Sequence, residues 1–182
     1  MINFDSHTIE TAPEGSKELL EQLQKQNGMV HNLYAVMAEA SEVLKSYLQL
    51  GQIINQTSFN SVEKNVIWLT INYTNNCHYC MAIHTLVANM QKVPENIVKA
   101  LRENEPINDP KLETLRQFTV SMVDKRGWVS EEELNNFISA GYSKKQIMEL
   151  VLMIAQKTIS NYVNHIADTP LDEISKPYEW KK

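Results

Sequence analysis

Apolar residues recur at i, i+3, i+4 and i+7 along most of this chain, and no stretch alternates apolar with polar over the length of a strand. That period puts side chains on one face of a helix, so the chain can bury itself only by packing helices on helices. Just five glycines interrupt the pattern. The expected fold class is all-α. At 182 residues and 43% hydrophobic content the chain can bury a sizeable core without crosslinks, so a single domain over 1–182 is expected.

Helix boundaries follow from capping chemistry. A first helix is predicted from Glu14 to about Gln26, stopped by Asn27 and Gly28, and one or two more lie between Asn32 and Gln56. Residues 14–43 read as a helical extension ahead of a core at about 44–172. A helix from Ser61 to Thr74, carrying Val62, Val66, Ile67, Leu69 and Ile71, is interrupted by Asn75 and Asn76. The next is predicted from Cys77 to Gln91, and Pro94 opens a short one through Arg102. Asp109 caps a helix with Pro110 in its first turn, ending before Gly127. Ser130 with Glu133, and Ser143 with Gln146, are capping boxes that start a short helix to Ala140 and a long one to Ala167. The long helix is apolar on more than one face, which places it centrally. The tail "EISKPYEWKK" has little to bury alone and is expected to fray or to dock on a neighbouring subunit.

Seventeen basic and twenty-two acidic residues are mixed along the chain for a net charge of −5, so no basic stripe is available for nucleic acid. The N-terminus lacks a secretory pattern and no segment reads as a membrane span, so a cytoplasmic protein is expected, without a membrane partner. In a reducing compartment, a cysteine pair is more often catalytic, redox-active or metal-binding than a permanent crosslink.

Both cysteines fall in one stretch, "NNCHYCMAIH". On a continuous helix, Cys77, Cys80 and His84 lie at i, i+3 and i+7, so two sulfurs and an imidazole share a face. Asn75 or Asn76 as N-cap puts Cys77 in the first helical position, where the helix dipole favours a thiolate. Cys80 has His84 four residues on as a proton partner. A zinc site needs three or four ligands, and His78 points about 100° from Cys77, with no second CxxC or HxxxH nearby. No metal and no organic cofactor are expected. His165 is a candidate second-site residue or a core histidine, while Trp68 and Trp128 read as packing.

"SVEKNVIWLTINYTNNCHYCMAIH" resembles the core motif of the AhpD-like alkylhydroperoxidase and carboxymuconolactone decarboxylase superfamily, whose specific part is CxxCxxxH. The match extends more weakly through "VPENIVKALREN", "DPKLETLRQFTVSMV" and "NYVNHIADTPLD". The resemblance implies an all-helical AhpD-like domain that assembles as a homo-oligomer, a trimer or hexamer. In the peroxidase branch it implies a dithiol that reduces a small hydroperoxide or an adaptor disulfide and is regenerated by an external thiol or dithiol. It places the peroxidatic cysteine at Cys80, the resolving cysteine at Cys77 and the relay histidine at His84. Two departures stand out: Asn65 occupies the family's relay glutamate position, and Tyr79 replaces the histidine before the second cysteine. Glu63 is the nearby substitute, returning near the Cys77 face if the helix is continuous, or else a capping partner of Asn60. The decarboxylase branch does not use a CxxC pair. The competing expectation is a redox-sensing or interaction protein with a reversible CxxC disulfide and little turnover.

Overall fold

The structure, a computed structural model, describes residues 4–182. The described residues form nine α-helices and no strand: α1 (Glu14–Asn27), α2 (Asn32–Met37), α3 (Ser41–Ile54), α4 (Ser61–Thr74), α5 (His78–Met90), α6 (Glu95–Glu103), α7 (Pro110–Asp124), α8 (Glu131–Ser139) and α9 (Lys144–Ala167). A 3-10 turn, Glu173–Tyr178, follows. The chain is all-α, as its periodicity requires.

Capping sets the starts. Asn60 and Glu63 form a reciprocal box on α4, as do Ser130 and Glu133 on α8 and Ser143 and Gln146 on α9. The Asp109 carboxylate accepts from the backbone N–H groups of Lys111 and Leu112 at α7. Gly28 takes a left-handed φ of 76° and returns its N–H to Gln24, closing α1.

Helix α4 is central and packs against α5, α6, α7 and α9. One apolar cluster joins Val66, Leu69 and Ile71 of α4 to Leu115 and Phe118 of α7, Phe137 of α8, and Leu150 and Met153 of α9. A second cluster joins Leu20 and Leu23 of α1, Leu33 and Met37 of α2, and Leu44 and Tyr47 of α3 to Cys77, Tyr79 and Cys80. Helices α1, α2 and α3 therefore wall in the cysteines.

Three expectations are corrected here. Helix α5 begins at His78, and Cys77 is its extended N-cap residue. Asn75 instead ends α4, and Asn76 turns left-handed at φ 53° so that the Cys77 N–H can reach the Asn72 carbonyl at 2.9 Å. The C-terminal tail neither frays nor needs a neighbour. Trp180 is buried, donates its indole N–H to the Arg102 carbonyl at 2.9 Å, and packs on Tyr73 and His78. The Arg102 guanidinium donates to the carbonyls of Tyr178 and Glu179, pinning the tail to α6. Trp128 is not packing either: it is 87% exposed. No helix of the described residues is long and apolar enough to cross a membrane.

Candidate active site

The α4–α5 hairpin sets the register. The Asn72 side chain donates to the Cys80 carbonyl at 3.1 Å, the Trp68 and His84 rings lie 5.1 Å apart, and Asn65 donates to Gln91 at 2.8 Å. Moving along α4 from Asn72 to Asn65 therefore moves away from the thiols along α5. Both cysteines are free thiols, with Cys77 0% and Cys80 2% exposed.

Helix α9 supplies the other wall. Lys157, Ser160, Asn161 and Asn164 recur at i, i+3, i+4 and i+7, and all four are buried. The Asn164 amide donates to Cys80 Sγ at 3.1 Å and reaches Cys77 Sγ at 4.0 Å. Ser160 Oγ lies 3.9 Å from Cys80 Sγ. Asn161 is held by Asn72 and Asn75, so α4, α5 and α9 meet in one amide network around the thiols. A buried sulfur with this many donors is solvated for negative charge.

The two thiols are driven apart in acidity. Burial alone pushes Cys80 up, but donation from the Cys77 thiol, the Lys157 charge and the donors Asn161 and Ser160 outweigh it, and the net direction is down. Cys77 goes up, because it donates to Cys80, is buried, and faces the Cys80 charge. The dipole expectation, which favoured Cys77 as the more acidic thiol, is thus overturned. As the N-cap, Cys77 stands outside the helix; Cys80 sits in its first turn among donors.

His84 does not bond to a sulfur. Its Nε2 accepts from Lys157 Nζ at 3.0 Å, and its pKa lies well below the usual imidazole range because of burial first and the Lys157 charge second. The imidazole is neutral near pH 7, and accepting at Nε2 leaves the proton on Nδ1.

Glu63 is held elsewhere. Its carboxylate accepts from the Asn60 N–H at 2.9 Å and pairs with Lys111 at 3.5 Å. It lies five residues before Trp68 on α4, so it stands about 7.5 Å further along the helix than the residue that meets His84. Asn65 is buried and donates to Ser61 and Gln91. Tyr79 donates to the Asp172 carboxylate at 2.6 Å and accepts from the Leu33 N–H at 3.2 Å. His31 and the Asn32 N–H also meet Asp172, which ties α2 to the segment after α9. His165 is exposed, so it is neither core nor part of this site.

A cavity of about 400 Å³ opens at His84, lined among others by Tyr34, Tyr47, Trp68, Gln91 and Gln156 and by neither cysteine. None of its lining residues is Lys, Arg, Asp or Glu. Tyr47 and His84 face both this cavity and the groups around Cys80. Among the described residues no three His, Cys, Asp or Glu side chains gather to hold a metal ion.

The α9 residues were missed in the sequence. The signal was present: a lysine, a serine and two asparagines on one face of a helix otherwise destined for burial.

Comparison with solved structures decides the fold. An AhpD-core, peroxidase-related protein from Ralstonia eutropha JMP134 superposes with a TM-score of 0.81 at 13% identity, covering 94% of this chain and 92% of that one. The chain has the AhpD-like fold. A peroxidase-related protein from Silicibacter sp. TM1040 gives a TM-score of 0.79 at 15% identity over 96% of this chain and 92% of that one. A variant of the debrominase Bmp8, in complex with 2,3,4-tribromopyrrole, gives 0.74 at 15% identity over 95% and 97%. Neither a family model nor a curated protein matches this AhpD-like chain in sequence.

Proposed function

We propose that this AhpD-like protein is a thiol-dependent oxidoreductase that reduces a hydroperoxide through Cys80 and Cys77. The observation that carries the reading is the pair of free, buried thiols at one amide donor, Asn164, with Cys80 made more acidic and Cys77 less. Peroxide reduction through a disulfide uses one thiolate as nucleophile and a second thiol to condense with the sulfenic acid, and this arrangement offers both.

In the proposed cycle the Cys80 thiolate attacks the peroxide oxygen. The O–O bond breaks, Cys80 becomes a sulfenic acid, and the alkoxide leaves and takes up a proton. Cys77 then attacks the sulfenic sulfur, forming the disulfide and releasing water. An external dithiol reduces the disulfide and is itself oxidised. The uncharged cavity supports a neutral substrate, since a charged group would lose hydration with no ionic partner there. The exposed apolar row Met148, Val151, Tyr162 and Ile166 on α9 supports assembly of copies of the chain, which light scattering would measure directly.

The test is peroxide consumption with a dithiol reductant by the wild type, Cys80→Ser and Cys77→Ser. Wild type should turn over, Cys80→Ser should fall to the buffer rate, and Cys77→Ser should give one turnover and a trapped sulfenic acid. A wild type no faster than Cys80→Ser ends the peroxidase reading. The deep burial of both thiols favours a second reading, a redox sensor. It requires a reversible disulfide with a change in shape or assembly but no multiple turnover.

A further inference from the structure

The Lys157 side chain is 1% exposed, and its ammonium has one hydrogen-bond partner, a neutral imidazole. No carboxylate pairs with it among the described residues. A buried lysine without an anion gives up its proton, so Lys157 can stay an ammonium only if a counter-charge is close by.

The titratable groups that sense the Lys157 charge are Tyr34 of α2, Cys77 before α5, and Cys80 and His84 of α5. Each can be considered as the anion. His84 bears no negative charge. Tyr34 is pushed upward by its burial and Cys77 by its donation to Cys80, so both keep their protons. Cys80 remains. It shares with Lys157 one face of α9, where Ser160 and Asn164 lie one and two turns beyond the lysine.

We propose that Lys157 is a positioning residue whose buried charge, held on His84 one turn from Cys80, keeps Cys80 as its thiolate, and that fixes His84 in the Nδ1–H tautomer. A cation on α9 stabilises the thiolate electrostatically, whereas a carboxylate relay would take up the thiol's proton through the histidine; with Cys80 ionised at rest, no acid on α4 is needed to form the nucleophile. The assignment rests on Cys80 being the nucleophilic thiol of the proposed function, and is independent of the oxidant.

Removing the charge should be structurally mild. Removing one member of a buried pair is costly where it strands the other charge, but here the orphaned anion can take up a proton. In the Cys77→Ser background, where Cys80 is the only thiol, Lys157→Met should raise the Cys80 titration followed by thiolate absorbance at 240 nm by at least one unit. It should also slow iodoacetamide alkylation at pH 6 about tenfold. Lys157→Arg should restore most of both. Superimposable titrations for the folded Met variant and its parent would overturn the proposal and assign the thiolate to the amide donors alone.

A measurement without substitution at Lys157 guards against misfolding. By linkage, oxidation to the disulfide removes the anion, so the Lys157 ammonium, followed by NMR of selectively labelled lysine, should lose its proton at lower pH in the oxidised protein. Identical titration in both redox states would overturn the pair. If peroxide turnover fails while these shifts hold, the peroxidase reading falls and Lys157 keeps its role. If turnover persists while the shifts are absent, the reverse is established.

Discussion

The two apolar clusters are built by different rules. The α4, α7, α8 and α9 cluster is almost wholly hydrocarbon, with Phe118, Phe137 and Tyr142 stacked at 4.4 and 4.5 Å. The cluster between α1–α3 and α5 surrounds two thiols and two tyrosines, and α9 runs a polar row along it. Dense apolar packing gives stability without chemistry. A buried polar face keeps charges unscreened, so small displacements of a donor or a cation have large effects on reactivity.

The largest effect should come from the hydrocarbon side. Phe137→Ala removes a fully buried ring and should cost about 3–5 kcal/mol in denaturant unfolding, while Cys80 in the folded fraction titrates as before. If the Cys80 titration moves as well, the two regions are not separable.

Asp172→Asn tests the clamp over the second cluster. Burial pushes the Asp172 carboxyl up, but His31, Tyr79 and the Asn32 N–H hold it below its ordinary value overall. A group whose folded pKa is depressed stabilises the fold above its unfolded pKa, and that contribution is lost as pH falls through the folded pKa. The substitution should therefore cost about 1.5–3 kcal/mol at pH 7, and the deficit should shrink in acid below about pH 4. A deficit equally large at pH 2 would show that packing, and not charge, holds α2 in place.

Smaller in energy is the pH profile of the thiol. Cys80 is lowered relative to an ordinary thiol, so its alkylation rate, small because the sulfur is buried, should fall much less between about pH 8.5 and about pH 6 than that of an unperturbed cysteine. Because His84 is held well below the usual imidazole range, the profile should show no inflection near pH 6.5. An inflection there would restore His84 as a titrating partner.

The smallest effect belongs to Glu63→Gln. Glutamine also completes a capping box, so only the attraction to half-exposed Lys111 is lost, at most about 1 kcal/mol, with thiol reactivity unchanged. A large loss of thiol reactivity without a loss of stability would return Glu63 to the proton path.

Much of the helical frame was legible because its signals are local. Asn60, Ser130 and Ser143 each cap the helix their spacing announces, and α9 runs from Lys144 to Ala167 as its pattern requires. The turn at the cysteines was misread. Two asparagines look like an N-cap, yet Asn76 is spent in the left-handed turn that lets α4 and α5 lie side by side. Trp180 was misjudged for a related reason: its pocket is made by α4, α5 and α6, none adjacent to it in the chain.

The sequence by itself determined the helices, their caps, and the presence of a dithiol beside a helix N-terminus, because each rests on spacings of a few residues. Only the tertiary structure decided which donors surround Cys80, where Glu63 is engaged, and what His84 meets. His84 and Lys157 are 73 residues apart in the chain and 3.0 Å apart in space. Their juxtaposition depends on how α9 rolls against α5, and a local period does not contain that angle.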